Sequence, residues 1–145
     1  MPKGAIVTVP WTREAGLALI SEEQVAALGD HWERGWNELD IDVIMEPFAP
    51  DVVFRSPFVP RISGDPAVSA IVGYDAVKQY MADSFTRATQ GLRYSLDATY
   101  IAPDSVVLLY RVHRPDGTDK AGADTMVIGP DGLVHEWRSH YPFVP

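Results

Sequence analysis

Residues 105–141 read SVVLLYRVHRPDGTDKAGADTMVIGPDGLVHEWRSHY, and their reading decides the fold. Two triplets, Pro115-Asp116-Gly117 and Pro130-Asp131-Gly132, divide three runs rich in Val, Leu, Tyr and Trp. Proline presets φ and Asp-Gly completes a bend, so the triplets are turns and the runs are strands, at 105–114, 121–129 and 132–141. With Asp116 and Gly117 as the central pair of a two-residue turn, His113 faces Lys120 and Leu109 faces Asp124. Alternation then gathers Leu109, Arg111, His113, Asp124, Met126 and Ile128 on one face. The next hairpin adds His135, Trp137, Ser139 and Tyr141 to it. The opposite face holds Arg114, Glu136, Arg138 and His140 with Val106, Leu108 and Tyr110.

Upstream the signal turns helical. Ser21 and Gln24 fit a capping box, with Glu22 and Glu23 in the first turn. Val25, Leu28, Trp32, Trp36 and Leu39 follow at spacings of three and four. A shorter helix runs from Asp42 to Phe48, and Asp51 to Ser56 alternates as a strand. The stretch 57–72, with Pro57, Pro60, Gly64 and Pro66, reads as a long loop. A second long helix opens at Gly73 with the stripe Val77, Tyr80, Met81, Ser84, Phe85 and Ala88. Residues 92–102 form a strand with Leu92, Tyr94, Leu96, Ala98 and Tyr100 on one face. Strands in a run after helices argue for an α+β fold, with a strongly bent antiparallel sheet wrapped around the helices. Residues 1–20 read as an N-terminal arm and 21–145 as a single domain.

Composition narrows the function. The 145 residues are 46% hydrophobic and 22% charged, as in an ordinary globular domain. A net charge of -8 without clustered Lys or Arg argues against nucleic acid and against an anionic membrane surface. Nine acidic residues against the single Arg34 lie between Glu22 and Asp51, a pattern open to a cation site, a partner surface or a solvated helix face. Placed on helices, most of them fall off the apolar stripe and read as capping and solvation. The absence of cysteine excludes disulfides, thiolate nucleophiles and Cys-based metal sites. No spacing suggests another metal site, and no fingerprint for a nucleotide cofactor is present, so neither metal nor cofactor is expected. No signal peptide or membrane-length apolar run is apparent, which points to a cytoplasmic chain.

One carboxyl stands out, because alternation sets Asp124 among aromatic side chains. A mostly apolar face with a few polar groups describes a small-molecule pocket, and it equally describes a core holding an ion pair between Arg111 and Asp124. Trp32 and Trp36 likewise read as core or as ligand-stacking rings, and both readings hold if the core is hollow.

In order and spacing, several motifs resemble the nuclear transport factor 2-like superfamily, which includes SnoaL-like polyketide cyclases and ketosteroid isomerases. They are Trp36-Asn37-Glu38-Leu39-Asp40, Phe48-Ala49-Pro50-Asp51-Val52-Val53-Phe54 with Ser56-Pro57, Gly73-Tyr74-Asp75-Ala76-Val77, and Asp124 eight residues before Gly132. The resemblance covers about residues 21–141 and implies a cone-shaped α+β fold. It puts Asp124 at the pocket carboxyl, Ser56 where the isomerases carry their proton-shuttling aspartate, and Trp32 where they carry an oxyanion-hole tyrosine. The chain departs from the isomerases at the last two, and a serine without a base cannot abstract a carbon-bound proton. What remains resembles the cyclase arrangement: Asp124 as general acid/base, Arg111 orienting it or stabilising an enolate, and His113 as a further candidate. Arg111 would lower the pKa of Asp124 and an apolar pocket would raise it. The expected ligand contacts are Trp32, Trp36, Phe54, Ser56, Met126 and Trp137.

The function so implied is cofactor-independent isomerisation, cyclisation, dehydration or hydrolysis of a small apolar polyketide-, terpenoid- or steroid-like molecule. The alternative is a non-catalytic binding or dimerisation module. A homodimer through the outer sheet face is expected under either.

Overall fold

A computed structural model of the chain describes residues 20–87 and 91–143. The arm expected over 1–20 lies outside them except for Ile20, which is buried, and Ala88 of the second helical stripe lies outside them too. The first helix, α1 (Glu22–Glu38), begins as its sequence dictates. The Ser21 hydroxyl accepts from the Gln24 N–H at 3.1 Å, and the Gln24 side chain accepts from the Ser21 N–H at 3.1 Å. Val25, Leu28 and Trp32 are buried, while Glu22, Glu23, Asp30 and Glu38 face outward. Other members of the acidic group act locally: Asp40 caps α2 (Ile41–Met45), Glu33 accepts from the Leu96 N–H, and Asp42 pairs with Lys78 at 2.6 Å.

The sheet has six strands in the order β2-β1-β6-β5-β4-β3, bent and unclosed. They are β1 (Phe48–Arg55), β2 (Ala70–Val72), β3 (Arg93–Ile101), β4 (Ser105–His113), β5 (Asp119–Ile128) and β6 (Val134–His140). Helix α4 (Tyr74–Arg87) packs on β1 and buries Val77 and Met81. No described helix is long and apolar enough to cross a membrane.

The α+β class stands, with three corrections to the sequence reading. First, the sheet is not wholly antiparallel, because β1 runs parallel to β6. Their ladder is interrupted between Phe48 and Val53, where Pro50, which has no N–H to donate, is tolerated. Second, the expected loop over 57–72 contains α3 (Val59–Ser63) and the short β2. Pro60 sits in the first turn of α3, where a missing N–H costs nothing, and Gly64 ends it. Third, β3 carries a bulge between Leu96 and Ala98. Tyr94 stays on the inner side, but Tyr100 pairs with Val107 and is 60% exposed, so the five residues expected on one face do not share it.

Candidate functional site

The register of the β4–β5 hairpin decides what faces the interior. Its loop has three residues: the Arg114 N–H donates to the Thr118 carbonyl at 2.9 Å, and the Gly117 N–H donates to Arg114 at 3.0 Å. Gly117, at φ 86°, takes the left-handed position that ends such a loop. The extra residue slips the pairing by one, so Leu108 faces Asp124, Tyr110 faces Gly122 and Val112 faces Lys120. A one-residue slip exchanges the two faces of a strand. Val106, Leu108 and Tyr110, expected outside, are therefore buried on the face of Asp124.

Arg111 and His113 correspondingly lie on the outer face. Arg111 Nε donates to Asp97 Oδ2 at 2.9 Å, and both side chains are about half exposed. His113 lies between Asp119, 2.8 Å from Nδ1, and the Ser95 hydroxyl, 2.8 Å from Nε2. Neither reaches Asp124, so the ion pair considered for Arg111 is made with Asp97 instead.

The next hairpin contains two deviations that cancel. Its loop also has three residues, shown by the Gly129 to Leu133 hydrogen bond, but a bulge between Val127 and Ile128 restores the count. Asp124 thus faces Ser139 and Met126 faces Trp137, as alternation predicts. His135 leaves the inner face and sits between Asp51 and Asp131.

Inside the bend lies a cavity of about 200 Å³. Five of the six expected ligand contacts line it: Trp32 and Trp36 from α1, Phe54 and Ser56 at the end of β1, and Trp137 from β6. The sixth, Met126, is 1% exposed in the core and does not reach it. Ser84, Tyr94, Tyr110, Ser139 and Tyr141 add to the polar lining, with Phe58 and Met81 among the apolar groups. Tyr110 was hidden by the register. One trace of it lies in the sequence: Gly122 interrupts a strand, and a Cβ there would overlap the Tyr110 ring and hydroxyl.

Asp124, 2% exposed, is the floor of the cavity. Trp32 Nε1 donates to Oδ2 at 3.1 Å and the Tyr110 hydroxyl to Oδ1 at 3.3 Å. Burial disfavours the carboxylate, and Ser139, Trp137, Trp32 and Tyr110 favour it. Burial wins, and the pKa is pushed up to about 6. The same burial, reinforced by the charge of Asp124, raises Tyr141 to about 12 and holds Tyr110 well above the usual phenol range.

Two donors are left over. The indole nitrogens of Trp36 and Trp137 are buried without a hydrogen-bond partner, and both residues line the cavity. The Trp137 N–H favours the charged form of Asp124 as a hydrogen-bond donor would, although the two do not reach full hydrogen-bond geometry. An unsatisfied buried donor costs about 1–3 kcal/mol, which an acceptor atom in the cavity would recover. Among the described residues no three His, Asp or Glu side chains converge as a metal site requires.

Comparison with known proteins agrees with this architecture. No curated protein matches the chain. A SnoaL-like protein of unknown function from Burkholderia thailandensis is 25% identical, with a TM-score of 0.75 over 86% of this chain and 99% of the other. A nuclear transport factor 2-like protein of unknown function from Mesorhizobium loti is 22% identical, with a TM-score of 0.63 over 83% and 93%. A structure from Kribbella flavida provisionally named a ketosteroid isomerase is 16% identical, with a TM-score of 0.63 over 85% and 81%. These last two likenesses show the fold alone. The model of the SnoaL-like domain matches residues 29–141, and the chain belongs to the SnoaL-like family of the nuclear transport factor 2-like superfamily.

Proposed function

We propose that the protein is a cofactor-independent enzyme that moves a proton on a small apolar carbonyl compound, with Asp124 as the acid/base. The observation that carries this reading is a buried carboxyl with a pKa of about 6 on the floor of an aromatic cavity. A base of that pKa is mostly ionised at pH 7 and still strong enough to accept a proton, the compromise that acid–base catalysis favours. Asp124 takes a proton from the carbon beside the carbonyl, and the C–H electron pair moves through that carbon to leave the charge on oxygen. Trp36 and Trp137 supply N–H donors for that oxygen, a role the outward position of Arg111 denies it. Return of the proton to another carbon gives isomerisation; attack of the enolate on a second carbonyl breaks its C=O π bond and gives cyclisation, the new alkoxide taking the proton from Asp124. A cavity of about 200 Å³ suits one ring of a polyketide- or terpenoid-like molecule better than the four rings of a steroid.

The test needs no known substrate. Cyclohexenone and tetralone in heavy water lose the protons beside their carbonyl as catalysed exchange proceeds. Exchange should rise with pH through about 6 and level off, following the carboxylate. Asp124→Asn should cut it by roughly 10²–10⁴-fold, the usual contribution of a positioned acid/base. No catalysed exchange with the natural enzyme, or unchanged exchange in the variant, overturns the assignment.

One observation favours the second reading, a binding module. Asp124 already accepts from Trp32 and Tyr110, as a purely structural carboxyl would. Probe binding without exchange in either protein would establish that reading. Under both, we propose a homodimer through the outward sheet face, where Val107, Leu109, Ala123 and Val127 form a half-buried row of apolar side chains. A solution mass equal to one chain would remove it.

A further inference from the structure

We propose that the ligand of this cavity is an organic acid, with a neutral, acceptor-bearing end at the indole N–H groups of Trp36 and Trp137 and its anionic group between Arg114 and Lys120. This rests on the reading of the cavity as a ligand site and adds the chemical class of the ligand.

The inner face of the β4–β5 hairpin does not stop at Asp124. Along β5 the same face carries Gly122 and Lys120, and beyond β4 the alternation Leu108, Tyr110, Val112 continues to Arg114. The face thus runs from a buried carboxyl at one end to two cations at the other. Asp124 and Lys120 lie four residue steps apart along the strand, about 13 Å of backbone. An outer pocket of about 500 Å³ lies at the cationic end and includes both Arg114 and Lys120. Phe58, Tyr94 and Val112 line the inner cavity and the outer pocket alike, so the two chambers adjoin.

Three further facts select an anion. The chain carries a net charge of -8, so a pair of cations at the cavity is not part of a general basic surface. Among the described residues neither Arg114 nor Lys120 is held in an ion pair. Lys120 instead rests over the Phe143 ring, 4.3 Å from its centroid, which keeps the ammonium at the pocket wall. The one carboxylate in the outer pocket, Asp116, is held by its own turn, accepting from the Thr118 N–H at 2.9 Å and the Thr118 hydroxyl at 2.6 Å; Arg114 acts on it through space without forming an ion pair. The size of the inner chamber points the same way. At about 200 Å³ it is below the roughly 300–1,000 Å³ of pockets that enclose a drug-sized molecule. A ligand larger than one ring must therefore extend outward, and the outer pocket is where an extension meets charge.

The probes are para-acetylphenylbutanoate and its methyl ester, matched in shape and differing in charge. Binding to the full chain is followed by calorimetry and by the isotope-labelled indole N–H signals of Trp36 and Trp137. The acid should bind about tenfold or more tightly than the ester, the ordinary worth of a charge-assisted contact, and added salt should weaken only the acid. Both probes should move the two indole signals. The double variant Arg114→Gln with Lys120→Gln should abolish the preference, bringing the acid to the affinity of the ester. Equal binding of acid and ester, or a preference that survives the double variant, overturns the proposal and leaves the cavity a ligand site. If neither probe binds nor moves an indole signal, both readings fall. Should the double variant not fold, the acid–ester ratio in the natural protein and its salt dependence still decide.

Discussion

The two faces of the β4–β5 hairpin put the same side-chain chemistry to opposite use. Outward, Asp97 and Arg111 meet at 2.9 Å with both side chains about half exposed. Water screens such a pair, and it is worth at most about 1 kcal/mol. Inward, Asp124 has no cation near it and is held by neutral donors, yet burial alone moves it toward neutrality of charge. The inner carboxyl has its pKa raised by desolvation and has no ionic partner to lower it. The reading that joined Arg111 to Asp124 would have coupled the two faces, and a single extra loop residue keeps them apart.

That separation can be broken most directly with two adjacent leucines. Leu108 is fully buried beside Asp124, and Leu109 looks outward and is half buried. Leu108→Ala should cost about 2–5 kcal/mol in chemical denaturation, as buried large-to-small changes do, and Leu109→Ala less than half of that. The reverse order would restore the two-residue turn and return Arg111 to the cavity.

The next effect is a pH dependence whose sign distinguishes the faces. The folded-state pKa of Asp124, about 6, lies above its ordinary value of 3.8, so the folded state binds the proton more tightly than the unfolded chain. Its contribution to stability is therefore fully present below about pH 4 and is lost as pH rises through 6, a span worth about 3 kcal/mol. Asp124→Asn carries no such titration, so the stability difference between variant and natural protein should grow by about that amount from pH 4 to 7, in favour of the variant. A difference that stays level across this range would mean that the buried carboxyl is not raised.

The smallest effect belongs to the outer pair. Arg111→Gln should change stability by no more than about 0.5 kcal/mol and leave proton exchange on the probe ketones unaltered. A large loss of exchange would sharpen the comparison in the other direction, because the outer face would then communicate with the cavity.

Much of this was legible before any coordinates. The capping box at Ser21 and Gln24 and the stripe Val25, Leu28, Trp32 are local devices, decided by residues three and four apart. Asp124 among aromatics was legible because period two survives along β5 and β6, although there a loop residue and a bulge had to cancel. Trp137 followed from the same alternation, Phe54 from that of β1, and Ser56 was placed at the site by the family resemblance. Tyr110 did not, since its face depends on whether Gly117 closes a loop of two residues or three. Nor did α3: the prolines around it read as breakers, although Pro60 and Gly64 stand at the start and end that a short helix tolerates.

The sequence by itself determined the order of the elements outside 57–72, the helix that carries Trp32 and Trp36, and the strand that carries Asp124. These follow from periodicity, and periodicity is a property of neighbours in the chain. Tertiary structure alone decided the parallel pairing of β1 with β6, the register that brings Tyr110 rather than Arg111 to Asp124, and the two indole donors left unpaired. Each of these depends on which distant groups meet after water is excluded, and a one-residue change in a loop is enough to exchange every partner.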